Sequence, residues 1–272
     1  MGITVAFRQY TATGGLFRSK WIGLKNFEFL FRSSDSWIIT RNTLLYNLGF
    51  IILGTFVSIV VAICLNEIMH KVFSRFYQTI ILLPHLISIV VVSYVTYAFL
   101  SSTTGFINNS ILVPLGFEPI YWYNETKYWP FILTFVHTWK GFGFTAIIYY
   151  ATIVGIDTQL YEAAAVDGAS RIRRIFSITI PSLKPTIIIM TILAIGRIFY
   201  ADFGLFYQVP QNSGMLFSVT NVIDTYVYRA LVNLGNIGMS SAANFYQSII
   251  GFLLVLATNA IVRKIDRENA LY

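Results

Sequence analysis

The chain has 272 residues, of which 56% are hydrophobic and only 11% are charged, and its mean hydropathy is +0.66. Soluble domains carry about 25% charged residues, so this composition excludes an ordinary water-soluble globular protein and indicates a membrane protein. The net charge of +7 is scattered between apolar runs, which argues against a nucleic-acid-binding surface. The single cysteine, Cys64, excludes an internal disulfide and a cysteine-based metal cluster.

Five apolar stretches are long enough to cross a bilayer, because roughly 20 helical residues span the hydrocarbon core. Pro84 predicts a kink in the second of them, since proline removes a backbone hydrogen bond. The predicted fold is all-α: a polytopic bundle of five transmembrane helices that forms one membrane domain over residues 1–272. The predicted spans are Leu44–Leu65, Ile80–Leu100, Phe131–Ile153, Ile187–Phe206 and Phe245–Val262.

The distribution of Lys and Arg predicts which loops face the cytoplasm, because short cytoplasmic loops are enriched in these residues. The loops after the first and third spans and the tail after the fifth hold nine of them, whereas the loops after the second and fourth hold only Lys127 and Arg229. The first group is predicted to be cytoplasmic, together with the C-terminus. The segment Met1–Asn42 then lies outside despite six basic residues. We therefore expect an additional N-terminal helix or a native start other than Met1, with a native five-span design as the alternative.

The loop 155–185 carries the most specific pattern in the chain. Tyr161–Ala165 favour a helix, whereas Gly168 and Pro181 interrupt one. The pattern predicts a helix, a turn and a second helix, which Pro181 and Pro185 end. Small residues four positions apart, such as Ala164 and Gly168, allow the backbone of another protein to approach closely.

This loop resembles the EAA motif of the permease subunits of binding-protein-dependent ABC importers. The matching residues are Glu162, Ala163, Ala164, Asp167, Gly168, Ala169, Phe176, Ile178 and Pro181. Ile180 stands where the family usually has Leu. The resemblance implies a coupling helix that inserts into a groove of a cytoplasmic ATPase subunit, with Glu162 and Gly168 central to the docking. A generic amphipathic loop would explain the arginines but not the whole pattern.

Other phrases resemble the maltose-like carbohydrate-uptake class of ABC permeases, and within it a polysaccharide and oligosaccharide subgroup of Gram-positive bacteria. In that subgroup a first helix precedes the segment that resembles Ala6–Tyr10. The resemblance implies import of an oligosaccharide across the bacterial cytoplasmic membrane by alternating access. A peptide or amino acid substrate, or an integral membrane enzyme, is the alternative. The phrases are Ala6–Tyr10, Trp21–Phe27, Asn42–Leu44, Leu83–His85, Trp139–Lys140 and Ile223–Tyr228.

The same resemblance implies the partners. A second homologous permease subunit would complete a heterodimer, and a cytoplasmic ATPase dimer would use ATP and Mg²⁺. An extracellular lipid-anchored or periplasmic solute-binding protein would deliver the solute. The chain has no phosphate-binding glycine loop, so we expect no cofactor, no catalytic site and no metal site on it.

Ionisable residues within the spans are costly in a bilayer and usually face a cavity or a partner. Lys140 follows Trp139 in the third span, beside glycines that weaken the helix and would expose backbone to a ligand. Arg197 stands in the middle of the fourth span, with Tyr200 and Asp202 towards its outer end. These five residues form the candidate translocation path, in which an aromatic ring would stack on a sugar. Structural pairing with the partner permease is the alternative.

Overall fold

The computed structural model describes residues 2–10, 15, 19–32, 35–68 and 70–265. Helices dominate these residues, which confirms the all-α prediction. The predictions of the start site and the orientation also used three residues that lie outside the described ones: Met1, Arg18 and Arg267. The described helices are α1 (Gly2–Val5), α2 (Phe29–Arg32), α3 (Ser36–Asn66), α4 (Lys71–Leu86), α5 (Ile89–Leu100), α6 (Trp129–Val154), α7 (Thr158–Val166), α8 (Arg171–Arg174), α9 (Ile180–Gly196), α10 (Phe203–Gln208), α11 (Phe217–Thr220), α12 (Ile223–Leu234) and α13 (Ile237–Ile265).

Short elements connect these helices. Two-residue strands β1 (Arg8–Gln9) and β2 (Lys20–Trp21) pair antiparallel. Asn26 holds the chain beside them, because its side-chain amide donates to the carbonyl oxygens of Ala6 and Arg8, each at 2.9 Å. Tight 3-10 turns cover Gly23–Phe27, Thr126–Tyr128 and Gly214–Leu216, and wider π turns cover Ile107–Leu112 and Ile175–Thr179.

Four helical stretches of the described residues are long and apolar enough to cross a membrane. The bent pair of α4 and α5 makes a fifth if it is counted as one broken span, and it contains the predicted break near Pro84. The structure therefore confirms a fold of four to five spans. The four stretches are Ser36–Asn66, Thr126–Val154, Arg171–Gly196 and Ile237–Lys264.

The fourth span ends earlier than predicted. The sequence pattern predicts a helix over Ile187–Phe206, but α9 ends at Gly196 and residues 197–202 form a turn before α10. Arg197 therefore lies in a turn and not in the middle of a span, so that part of the prediction is wrong. The physical reason is that side chains of other helices bind the backbone of this turn and replace helical hydrogen bonds.

The prediction that Pro181 and Pro185 end the second helix of the loop is also wrong. One helical path runs from Arg171 to Gly196, through the π turn that separates α8 from α9. Pro181 follows this turn directly, where the hydrogen-bond pattern changes, and Pro185 lies inside α9. A π turn inside a helix accommodates such a change without ending the helix.

The glycines beside Lys140 have a packing role that the sequence pattern does not predict. Helix α6 continues through Gly141 and Gly143. Gly143 is buried, and a Cβ atom at this position would overlap the backbone carbonyl of Ile81 in α4. A Cβ atom on Gly141 would meet nothing within 4 Å. The expected exposure of backbone to a ligand is therefore wrong for Gly143, which serves close helix packing.

The contacts within the chain divide it into two compact units. The prediction of a single membrane domain over residues 1–272 stays a prediction. The first unit comprises Met1–Leu48, Ser88–Thr134 and Gly196–Val255, and its apolar core includes Ile39, Ile223 and Ala242. The second comprises Gly49–Ile87, Phe135–Ile195 and Leu256–Tyr272, and its core is Ala62, Tyr149, Ile153 and Leu183.

Candidate functional site

The loop 155–185 contains a helix with well-defined ends. At the start of α7, the carboxylate of Asp157 accepts a hydrogen bond of 2.9 Å from the backbone N–H of Gln159, as an N-cap does. At its end, Gly168 has a φ of +77°. The N–H of Ala169 donates to the Ala164 carbonyl oxygen at 2.9 Å, and the N–H of Gly168 donates to that of Ala165 at 3.1 Å. This pair of bonds is a Schellman motif, which favours glycine at its left-handed position.

The predicted docking residues lie on the surface of this loop. Glu162, Ala163, Asp167 and Gly168 are exposed, and Ala164 and Ala169 are half-buried. The hydroxyls of Tyr161 and Thr179 form a hydrogen bond of 2.9 Å that ties α7 to the following helical path. The helix is therefore anchored on one side and free on the other.

Large apolar side chains are exposed at the end of α7 and in the segment that follows it. Val166 is 89% exposed, Ile172 is 70% exposed and Phe176 is 67% exposed. Exposed apolar side chains are typical of surfaces that contact another protein or the membrane. Pro181 is exposed as well, at the beginning of α9. The arrangement suits insertion of α7 into a groove of another protein.

Lys140 binds the end of a neighbouring helix in the second unit. Its Nζ donates to the carbonyl oxygen of His85 at 2.9 Å and lies 3.5 Å from that of Pro84. Both carbonyls belong to the last turn of α4, where the carbonyl oxygens no longer receive hydrogen bonds from N–H groups of the next helical turn. A cation here satisfies these acceptors and interacts favourably with the helix dipole. Trp139 is half-buried beside Lys140.

The 197–202 turn in the first unit is held by three buried or half-buried polar side chains from three helices. The Asn47 amide donates to the carbonyl oxygens of Ile198 and Tyr200 at 2.9 and 3.1 Å. The other two bonds run from the Gln247 amide to the Phe199 carbonyl oxygen at 2.7 Å, and from the Ala201 N–H to the Asp224 carboxylate at 2.8 Å. Non-helical backbone at membrane depth is tolerated only where protein groups or a water-filled cavity satisfy it.

This turn carries three of the predicted path residues. Arg197 is exposed, and among the described residues no ion pair joins it to Asp202. The hydroxyl of Tyr200 forms a hydrogen bond of 2.7 Å with that of Ser248 in α13. Asp202 caps α10, since its carboxylate accepts from the N–H of Leu205 at 3.1 Å. The exposed Arg197 side chain therefore stands on a backbone that side chains of other helices hold in place.

Sequence reasoning missed the residues that hold the turn. Asn47 and Gln247 interrupt predicted apolar spans, and Asp224 lies in the phrase Ile223–Tyr228. A polar residue inside an apolar run was the available signal. Burial raises the pKa of the Asp224 carboxyl above its usual range, while hydrogen bonds from Ala201 and Gln247 act in the opposite direction.

Histidines in the second unit pack against aromatic rings. His85 stacks on Phe144 with ring centroids 4.9 Å apart, and His137 stacks on Phe50 at 3.7 Å. Within the described residues, no group of three or more His, Cys, Asp or Glu side chains is placed to hold a metal ion.

The sequence of nearly the whole chain is similar to two proteins of Bacillus subtilis. "Protein LplB" of Bacillus subtilis is 32% identical over 268 residues, which are 98% of this chain and 83% of that protein. The polygalacturonan/rhamnogalacturonan transport system permease protein YteP of Bacillus subtilis is 34% identical over 269 residues, with the same coverage of both chains.

A solved structure has the same fold. A chain of the bacterial alginate ABC transporter, crystallised in complex with an alginate pentasaccharide-bound periplasmic protein, is 31% identical. The match has a TM-score of 0.86 and covers 97% of this chain and 87% of that one. The family model described as "Binding-protein-dependent transport system inner membrane component" matches residues 41–267. The chain therefore belongs to the family of inner-membrane permease components of binding-protein-dependent transport systems, the family that the EAA-like loop predicts.

Proposed function

We propose that this chain is the permease subunit of an ATP-driven importer that carries an oligosaccharide inward by alternating access. The supporting observation is similarity over 97–98% of the chain to permeases whose names or structures concern saccharides. The arabinooligosaccharides transport system permease protein AraP of Bacillus subtilis adds a neutral saccharide to this set, with 27% identity over 249 residues. The family identifies a membrane translocation component and not an enzyme.

The loop 155–185 couples this subunit to ATP hydrolysis in the proposal. The exposed face of α7, with Glu162 and Gly168, docks into a partner ATPase dimer that binds ATP and Mg²⁺. Phe176 and its exposed apolar neighbours widen the contact surface. The fixed ends of α7 favour transmission of ATPase motion to α9, because the Tyr161–Thr179 hydrogen bond links the two segments.

The remaining partners follow from the transport class. A second homologous permease subunit completes a heterodimer, and a lipid-anchored or periplasmic binding protein delivers the solute. The chain lies in the bacterial cytoplasmic membrane as a multi-pass protein, with the basic loops and the C-terminus in the cytoplasm, as the positive-inside rule predicts.

The translocation path in this proposal includes the 197–202 turn. Broken helices commonly form substrate sites in transporters, and the side chains of this turn stand on a backbone that Asn47, Gln247 and Asp224 hold in place. Arg197 and Tyr200 contact the substrate, while Asp202 fixes the start of α10. Lys140 and Trp139 stay in the proposed path as the sequence predicts them, and Lys140 also stabilises the end of α4.

Uptake by the reconstituted importer tests the proposal. The assembled subunits in vesicles, supplied with binding protein and ATP, are offered oligogalacturonate, an arabino-oligosaccharide, a peptide and sn-glycerol 3-phosphate. The last is included because the sn-glycerol-3-phosphate permease UgpA of Escherichia coli is 28% identical over 246 residues. ATP-dependent accumulation of a saccharide is expected. Exclusive accumulation of the peptide or the phosphate ester would contradict the carbohydrate assignment, and substrate turnover by the isolated chain would indicate an enzyme.

A further inference from the structure

An open pocket lies between α10, α12 and α13 in the first unit, with a cavity volume of about 210 Å³. Pockets for drug-sized ligands measure about 300–1,000 Å³, so this pocket suits a smaller group. This is the scale of one six-membered ring with its hydroxyl groups. The pocket combines aromatic and polar side chains, chiefly Phe203, Asp224, Tyr228, Ser240, Asn244 and Gln247.

Two aromatic rings, Phe203 and Tyr228, line the pocket, and the ring of Tyr207 packs against both of them. The ring centroids of Phe203 and Tyr228 are 4.5 Å apart. Tyr207 stacks on Phe203 at 5.0 Å and meets the Tyr228 ring edge-on at 5.2 Å. Tyr228 remains 38% exposed. A fixed, accessible ring of this kind offers apolar area with little loss of side-chain entropy on binding.

Polar groups face the pocket from α12 and α13. The Gln247 amide donates to the Asp224 carboxylate at 3.1 Å, and the Ala201 N–H bonds the same oxygen. A carboxylate has about four acceptor positions, so capacity remains for a ligand hydroxyl. Asn244 is exposed, and its amide donates to the Ser240 carbonyl oxygen of its own helix at 3.1 Å.

We propose that this pocket is a subsite for one uncharged sugar ring of the transported saccharide. The ring face lies on Tyr228, and its hydroxyls bond Asp224 and Asn244. The charge of the pocket selects an uncharged ring, because Asp224 is the one charged side chain among its described lining residues and repels a uronate carboxylate. The inference rests on the proposed carbohydrate uptake and adds a position and a chemical class to it.

Protection of an introduced thiol tests the subsite. Cys64 is the single cysteine of the chain, so Cys64→Ser gives a background in which Ser240→Cys places one thiol in the pocket. The assembled importer in vesicles is treated with a maleimide, and labelling of this subunit is followed with an arabino-oligosaccharide or an oligogalacturonate present. At ten times the half-saturating concentration, the neutral saccharide is expected to slow labelling about tenfold.

Three further variants separate the subsite from general effects. Asn233→Cys, on an exposed face of α12 outside the pocket, is the matched control and should show no protection. Tyr228→Ala in the Ser240→Cys background should lose protection, whereas Tyr228→Phe should keep it, because the ring face carries the contact.

Each outcome bears on a distinct claim. Uptake without protection of Ser240→Cys would overturn the subsite and leave the proposed function intact. Protection by oligogalacturonate alone would overturn the uncharged-ring assignment. Failure of the Cys64→Ser parent to take up either saccharide, with the wild type equally inactive, would remove the proposed function and the subsite with it.

Discussion

Replacement of Gly168 tests the proposed docking of α7 to a partner ATPase. Gly168 has a φ of +77°, and a Cβ atom there would meet nothing within 4 Å. The effect of Gly168→Ala is therefore backbone strain alone, roughly 1–2 kcal/mol for a left-handed residue. Since 1.4 kcal/mol is a factor of ten, the equilibrium constant for the docking conformation falls about 5- to 30-fold. We expect ATP-dependent uptake to fall by up to this factor while the protein still inserts.

The loss of uptake should depend on which residue replaces Gly168. Gly168→Asn should be milder than Gly168→Ala, because asparagine tolerates the left-handed region. Gly168→Asp should abolish uptake and ATPase coupling, since it adds a negative charge at the C-terminal end of α7, beside Asp167, where the helix dipole disfavours it.

A matched control exists in another loop. Gly116 has a φ of +82° and equally free space, so Gly116→Ala introduces the same strain outside the coupling loop. The assay compares initial uptake rates and substrate-stimulated ATPase activity at equal amounts of inserted protein. Full uptake by Gly168→Asp, or an equal loss in Gly116→Ala, would refute the assignment of Gly168 to docking.

Three further substitutions address packing and charge. Lys140→Met should lower the free energy of unfolding by about 1–2 kcal/mol, because it leaves the last carbonyls of α4 without a charged donor, and thermal unfolding in detergent measures this. Gly143→Ala should strongly reduce the yield of folded protein, because its Cβ atom would overlap the backbone of α4, as fluorescence size-exclusion chromatography would record. Asp224→Asn should make the free energy of unfolding depend less on pH. In the wild type, the raised pKa of the Asp224 carboxyl stabilises the fold when the pH is below the ordinary pKa of 3.8. This contribution is lost as the pH rises through the raised pKa. Unfolding temperatures at about pH 4 and about pH 7 should therefore differ less in the variant than in the wild type.

The first two substitutions have matched control variants. Lys140→Arg keeps a donor and should recover most of the stability, whereas equal loss in both variants would contradict the capping role. Gly141→Ala lies two residues from Gly143 in free space and should fold normally. An unchanged pH profile for Asp224→Asn would show that burial does not raise the pKa of this carboxyl.

Local patterns in the sequence predicted the all-α class, the positions of most spans, and the helix and turn of the loop 155–185. Span prediction succeeds because a helix in lipid satisfies its own backbone hydrogen bonds and needs only an apolar exterior. The loop is equally local: Asp157 caps α7 two residues away, and Gly168 ends it through bonds to Ala164 and Ala165. Such contacts depend on residues that are neighbours in the chain, so the order of residue types predicts them.

Only the tertiary structure decided where the fourth span breaks and what its polar residues contact. The 197–202 turn depends on Asn47, about 150 residues earlier in the chain, and on Gln247 and Asp224 from two other helices. Lys140 binds a carbonyl oxygen 55 residues away in the chain. Gly143 packs against α4, and the residues around Gly143 do not indicate which helix it contacts. Hydropathy reports whether a segment prefers lipid, but a helix break depends on which distant side chains satisfy its backbone. That information arises only when the helices pack together.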